Sequence, residues 1–535
     1  MLQISAGTLG RELQYLGSIH SPFWQRYCVD SGFIMLLLSN GLLFDGSGNT
    51  PVTGSLLIDG DRIAEVGVFS APAECPAVDC TGVAIAPGFI DLHSHADLQV
   101  LDDRMEKVKQ GVTTEVVGNC GFSPFPYSGT TDLLHEFGAG ILGKPTGWGW
   151  PAASGYLDAV HKHSAKMNVV SLVGHGSLRV AVAGLRQSAL SAEELDRTAG
   201  LLEDSLTAGC GGFSTGLMYA PGSSAGKDEL IRLCSVVARS GKMYATHMRS
   251  YSSRLLESTR EQLDLARATG CRLQISHLQT VGRVNWDSQQ RALDQIEAAR
   301  KEGVDVEFDI YPYQCGSTVL TQFAPQWAFD GGPDALIKRL LDPGTRRKIV
   351  DEIERTRVHE WSDITISAVD TAANQKYVGK TIADIAADRK HDPTETMLDL
   401  LVEEHALVNV VSFNQSEPNL RQLLTHPLCS VISDGFYVKG KAHPRLYGTF
   451  PELLGNVVRD RRWMPLPESI HKITAKPAAR LGLKNRGWLK KGYSADVTIF
   501  DPAHVKSEAT YETPDREPQG ILKVIKEGQI VYQAA

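Results

Sequence analysis

Seven side chains able to bind a metal ion stand at the ends of short apolar runs. His93 and His95 close FIDLHSH as an HxH pair, and Cys120 closes TTEVVGNC. His175 follows VVSLVG, His247 follows MYAT, His277 follows LQIS and Asp434 follows SVIS. Imidazole, thiolate and carboxylate together suit Zn²⁺. Such an ion brings a water towards ionisation at neutral pH, and a carboxylate beside it could move that proton to a leaving nitrogen. Hydrolysis of an amide is the chemistry this set would support. A lone buried histidine or cysteine is more often plain packing. Here that reading would have to explain many coincidences at once. It does hold for the rest: Cys80, Cys210, Cys234, Cys271, Cys315 and Cys429 read as core or neutral, and His135, His161, His163, His359, His391, His405, His426, His471 and His504 as surface residues. His175 is evenly poised between packing and orienting a ligand or substrate.

Residues so far apart in sequence need a scaffold that gathers strand ends. The runs FIDLHSH, TTEVVGN, VVSLVGH, GFSTGL, MYATHM, LQISHL, VEFDIY and SVISDG are near-continuously apolar, with helical, charge-patterned stretches such as 191–208 and 253–269 between them. That alternation predicts an α/β fold with a parallel sheet buried on both faces, and eight units predict a (β/α)₈ TIM barrel. In a barrel the C-terminal strand ends share one rim. Positions i and i+2 share a strand face, so His93 and His95 point together into it. A ninth apolar run, 407–413, leaves the count open. Residues 322–404 read as a helical, charged, inserted lobe within a barrel spanning 89–475. Short strands with Asp-Gly turns occupy 35–88 and 476–535 and predict a small β-sandwich built from both chain ends. Residues 1–34 lack a period and read as an N-terminal extension, with the domain beginning at Met35.

The bulk properties exclude several classes. A net charge of −8 over 535 residues offers no attraction to nucleic acid or an anionic membrane. No apolar run approaches the ~18 residues of a membrane span. Nine cysteines without a CxxC pair argue for a reducing, cytoplasmic setting. A small molecule is the expected partner, and nothing in the sequence speaks to oligomeric state.

PGFIDLHSHAD, GVTTEVVGNCG, YATHMRS, LQISHL, VISDG and HPRLYGTFPELLG stand in the order found in the amidohydrolase superfamily, and the cysteine of GNCG resembles its D-aminoacylase (N-acyl-D-amino-acid deacylase) family. ITAKPAARLGL and GYSADVTIFDP resemble that superfamily's return to the β-sandwich. The resemblance runs from about Met35 to the end. It implies a zinc hydrolase that cleaves the amide of N-acyl-D-amino acids. Cys120, His247 and His277 would hold a tightly bound zinc, and His93 and His95 a second, weaker site with Asp434 adjacent. Asp434 would act as general base and then acid. Arg445 would grip the substrate carboxylate, a task suited to a planar bidentate donor, and Tyr219 would contact the substrate. Gln279 stands where the family commonly has a lysine, and Ser250–Tyr251 replace an acidic residue. These departures point to neutral side chains rather than N-acyl-D-glutamate or N-acyl-D-aspartate. The alternative of a cyclic-amide hydrolase, dihydroorotase- or hydantoinase-like, would call for a lysine in GFSTGL, which has none. A non-catalytic scaffold would be expected to have lost ligands.

Overall fold

The computed structural model describes residues 35–72, 75–127, 131–143 and 148–535. The N-terminal extension expected over residues 1–34 lies outside the described residues. Eight parallel strands form the centre: β1 (Phe89–Asp91), β2 (Val112–Val117), β3 (Asn168–Gly174), β4 (Gly212–Gly216), β5 (Met243–His247), β6 (Arg272–Ile275), β7 (Val306–Ile310) and β8 (Cys429–Val431). They pair in chain order from β1 to β8. The ring closes at its C-terminal rim, where Ser94 bridges Gly435 and the Asp434 amide donates to the His93 carbonyl at 2.8 Å. The eight apolar runs therefore all become barrel strands. All six residues of β2 are buried, as expected of a strand covered on both faces.

Helices between the strands stop where their sequences tell them to. The helix Ala192–Thr207 starts on a Ser191/Glu194 capping box, which satisfies amides the helix itself leaves free. Lys227–Ser240 and Leu255–Thr269 end on left-handed Gly241 and Gly270.

The two ends of the described chain meet in one sheet. Strand Ala84–Pro87 pairs with Met35–Leu43 on one side and with Val497–Phe500 on the other, within an eight-stranded sheet that also holds Val52–Asp59, Ile521–Lys526 and Gln529–Gln533. Leu38, Leu56, Ile58, Ile85, Val497 and Ile525 bury its apolar face.

The ninth apolar run belongs elsewhere. As Val408–Phe413 it pairs antiparallel with Cys315–Val319 and Ile364–Val369. These strands and the helices Pro333–Leu341, Pro343–Thr356, Ile382–Arg389 and Pro393–Glu403 form a lobe with its own core around Ile349, Ile366, Leu398 and Val410. The expectation of a helical insertion over 322–404 is thus corrected. The lobe contains a three-stranded sheet with Val408–Phe413 at its centre, and its strands lie between Cys315 and Phe413. CGSTV and ITISAV are short, so they carry little strand signal of their own. The lobe is fastened over the barrel rim: Asn409 Nδ2 donates to the Gly140 carbonyl at 2.8 Å and Asp330 accepts from the Gln187 amide at 3.0 Å. Among the described residues no helix is long and apolar enough to cross a membrane.

Candidate active site

The strand-end residues converge. Cys120 Sγ lies 3.3 Å from His93 Nε2 and 3.4 Å from His277 Nε2. His93 Nε2 and His95 Nε2 each lie 3.3 Å from Asp434 Oδ1. Two donor sets result, His93–Cys120–His277 and His93–His95–Asp434, with His93 common to both. His247 joins the cluster from the side: its ring centroid is 4.6 Å from that of His277, and its Nε2 faces Met218 Sδ at 3.2 Å.

The backbone is held in an unusual state where it presents three of these groups. Cys120, His277 and Asp434 have φ of 52°, 35° and 48°. Non-glycine residues avoid this left-handed region, and each instance has to be held by its surroundings. For His277 the hold is visible: its amide donates to Asp309 Oδ1 at 2.6 Å. For Cys120 the chain turns just before it at Gly118, with φ of +80°, where a Cβ would lie 2.2 Å from the Leu172 carbonyl oxygen. Only glycine fits that close approach.

Electrostatics favours the charged forms. Burial alone would push the Cys120 thiol up, but His93 and His277 overcome it and hold the group well below its ordinary range as a thiolate. Burial likewise opposes ionisation of Asp434, and Arg445, His93 and His277 outweigh it. Burial pushes the Tyr219 phenol up, so it stays a hydrogen-bond donor. Buried Nδ1 atoms of His93, His95, His247 and His277 have no hydrogen-bond partner among the described residues. Imidazole Nε2 atoms of His93 and His277 converging on a thiolate, beside a buried carboxylate, fit a zinc ion, and the donor types are those zinc takes.

Arg445 begins the helix Arg445–Glu452 and is buried. Its Nη1 lies 2.9 Å from Asp434 Oδ2, its guanidinium packs 4.5 Å from the Tyr311 ring centre, and its Nε has no hydrogen-bond partner among the described residues. His95, Cys120, His247, His277, Asp434, Arg445, Tyr219 and Gln279 all line one cavity of about 270 Å³. Tyr219 sits 4.8 Å from the His247 ring, centre to centre. Gln279 Oε1 accepts from Asn414 Nδ2 at 3.1 Å and from the Tyr311 hydroxyl at 3.3 Å.

Several residues were not singled out from the sequence. Asp309, on β7, supports both His277 and the Gln274 amide, and lies 3.6 Å from His93 Nδ1. Its signal was an acidic residue inside an apolar barrel strand. Asp91 shares the inward face of the HxH pair, accepts from Lys107 at 2.7 Å and Ser433 at 2.5 Å, and so ties β1 to the Asp434 loop. His359 is not a surface residue: the lobe inserts it into the cavity wall, 3.1 Å from Asn414 Oδ1. His175 stands apart from the cavity. It bonds Glu229 at 2.8 Å, which also holds Arg179.

A model of the amidohydrolase family matches residues 77–532. The D-aminoacylase of Alcaligenes xylosoxydans xylosoxydans is 34% identical over 511 residues, covering 94% of this chain and 96% of that one. The N-acyl-D-glutamate deacylase of the same organism is 33% identical, covering 94% of each chain. The N-acyl-D-glutamate deacylase of Bordetella bronchiseptica, solved with zinc and a phosphonate inhibitor mimicking the tetrahedral intermediate, superposes with a TM-score of 0.80 at 32% identity, covering 93% of this chain and 96% of that one. With a closed barrel, a thiolate–histidine metal cluster at its rim and this degree of likeness, the chain belongs to the amidohydrolase family, among its D-aminoacylases.

Proposed function

We propose that the protein hydrolyses the amide bond of N-acyl-D-amino acids, with a preference for neutral side chains. The observation that carries this reading is the junction of three functions in one cavity: a metal cluster, a buried carboxylate and a buried arginine within 2.9 Å of that carboxylate. Cys120, His247 and His277 would hold zinc, with His93, His95 and Asp434 as a second, weaker site. Zinc bound there supplies a Lewis acid and brings water towards ionisation. Asp434 takes a proton from the attacking water and returns it to the leaving nitrogen. Arg445 grips the substrate carboxylate, and the Tyr219 hydroxyl donates to the amide carbonyl oxygen.

The neutral preference is supported by what lines the cavity. Gln279 replaces a cation, and its oxygen is occupied by Asn414 and Tyr311. Besides Arg445, the lining offers one arginine, Arg357, which pairs with Glu354 at 3.3 Å and packs over Trp361. Val281, Phe323, Ile353 and Ile364 add apolar wall. The eight described cysteines are free thiols, which supports the cytoplasmic setting. The test is turnover of paired N-acetyl-D- and N-acetyl-L-amino acids, with zinc counted on the same preparation. Turnover confined to D-leucine, D-methionine and D-phenylalanine derivatives is expected. Preference for D-glutamate or D-aspartate derivatives would overturn the side-chain assignment, and turnover of the L series alone would overturn the reaction.

A further inference from the structure

We propose that an apolar chamber beside the metal cluster is an acyl-chain subsite, so that the protein favours N-acyl-D-amino acids whose acyl group is an unbranched alkyl chain several carbons longer than acetyl. This inference rests on the deacylase reading above.

The chamber measures about 110 Å³, and Phe137, Leu185, Val319, Phe329 and Leu407 form its walls. For scale, an apolar cavity of about 150 Å³ is enough to hold benzene. It adjoins the active-site cavity: Ile141, Met218, Tyr219, Gln322, Ala324 and Pro325 line both. Phe122 lines the chamber on the side of the histidines. Its ring centre lies 6.4 Å from that of His95 and stacks 4.6 Å from that of Phe137. The Phe137 wall of the chamber is therefore two aromatic rings from His95.

The position of the chamber selects the acyl end of the substrate. Arg445, Gln279, Tyr311 and Asn414 line the main cavity, and none of them lines the chamber. A substrate held by its carboxylate at Arg445 places its amide at the cluster. The group on the other side of the carbonyl must then leave in a direction away from Arg445, and past Phe122 and Tyr219 that direction is the chamber. Its chemistry selects the acyl type. The ionisable groups on its lining are Glu136, His405 and the Tyr219 phenol, so no arginine or lysine awaits a terminal carboxylate. An alkyl chain suits such walls, and a dicarboxylic acyl group does not. Hydrolysis would add water across the acyl–nitrogen bond: the hydroxyl goes to the acyl carbon, the proton to nitrogen, and the products are a free alkanoic acid and the D-amino acid.

The test is a chain-length series on the zinc-loaded full chain, with acetyl, butanoyl, hexanoyl and octanoyl derivatives of D-leucine. Each buried methylene should raise kcat/KM roughly fourfold until the chamber is full. Leu185→Trp on the barrel side and Leu407→Trp on the lobe side each fill the chamber. Each should cut the octanoyl-to-acetyl ratio of kcat/KM by roughly tenfold or more, the equivalent of losing about two buried methylenes. A melting curve shows which variant is folded, and the wild-type series stands if neither is. A series that is flat or falls from acetyl to octanoyl overturns the subsite and leaves the deacylase reading intact. The wild-type ratio in a folded variant also overturns it. No turnover of any member, with zinc bound, retires the deacylase reading and the subsite with it.

Discussion

Arg445 Nη1 and Asp434 Oδ2 lie 2.9 Å apart, both side chains buried at the barrel rim. The group proposed to bind substrate and the group proposed to move protons are thus one ion pair before substrate arrives. A substrate carboxylate reaching Arg445 competes for the guanidinium, and Nε gives it a donor that Asp434 does not use. Binding would loosen Asp434 from its partner at the moment the carboxylate is needed as a base. This arrangement predicts that Asp434→Asn, which keeps shape and removes basicity, lowers kcat about 10³-fold or more with little change in KM. Steady-state kinetics on N-acetyl-D-leucine checks it, and kcat within tenfold of wild type would remove Asp434 from the chemistry.

Arg445→Lys separates charge from geometry. The lysine keeps one positive charge beside Asp434 and loses the planar fork and its packing on Tyr311. The expected result is a rise in KM of about 10²-fold, with a smaller fall in kcat, since loss of two parallel hydrogen bonds to a carboxylate weakens substrate and transition state alike. An unchanged KM would mean that the substrate carboxylate is held elsewhere.

Much of this site could be read from the chain because barrel strands announce themselves. A strand buried on both faces must be apolar almost throughout, so His93, His95, Cys120, His247, His277 and Asp434 stand out as the polar ends of apolar runs. Asp309 was hidden by the same logic: it lies inside its run, one residue before Ile310, where only its bond from the His277 amide, just past the end of the adjacent strand, gives it meaning. His359 was hidden for another reason. Its place in the cavity depends on how the lobe sits over the rim, and the strands that fix the lobe, Cys315–Val319 and Ile364–Val369, are too short to be recognised alone.

Metal binding should couple to stability through Cys120. A thiolate buried among His93 and His277 is costly without a cation, and an ion that binds only the folded chain stabilises it by mass action. Chelation should therefore lower the melting temperature as well as abolish activity. Cys120→Ser should retain fold and lose most of its zinc, read by elemental analysis after dialysis. Full zinc content in Cys120→Ser would move the tight site away from this residue.

The buried group Arg179–Glu229–His175 makes a prediction that does not involve the metal. Glu229 accepts from Arg179 at 2.6 and 2.7 Å and from His175 at 2.8 Å. Burial opposes the charge of Glu229, yet His175 and Arg179 prevail and draw its pKa from 4.5 down to about 2. A carboxylate depressed in the folded state stabilises fully above its unfolded pKa and loses that contribution as pH falls through the folded one. The contribution should amount to about 3 kcal/mol, present above pH ~4.5 and gone near pH ~2. Glu229→Gln leaves Arg179 buried without a counter-charge, so it should cost about 3–5 kcal/mol at neutral pH. Because the charge is absent at every pH, that variant should also lose stability less steeply than wild type between pH ~4.5 and ~2. Denaturant unfolding at several pH values measures both, and parallel pH profiles for the two proteins would show that Glu229 does not titrate in this way.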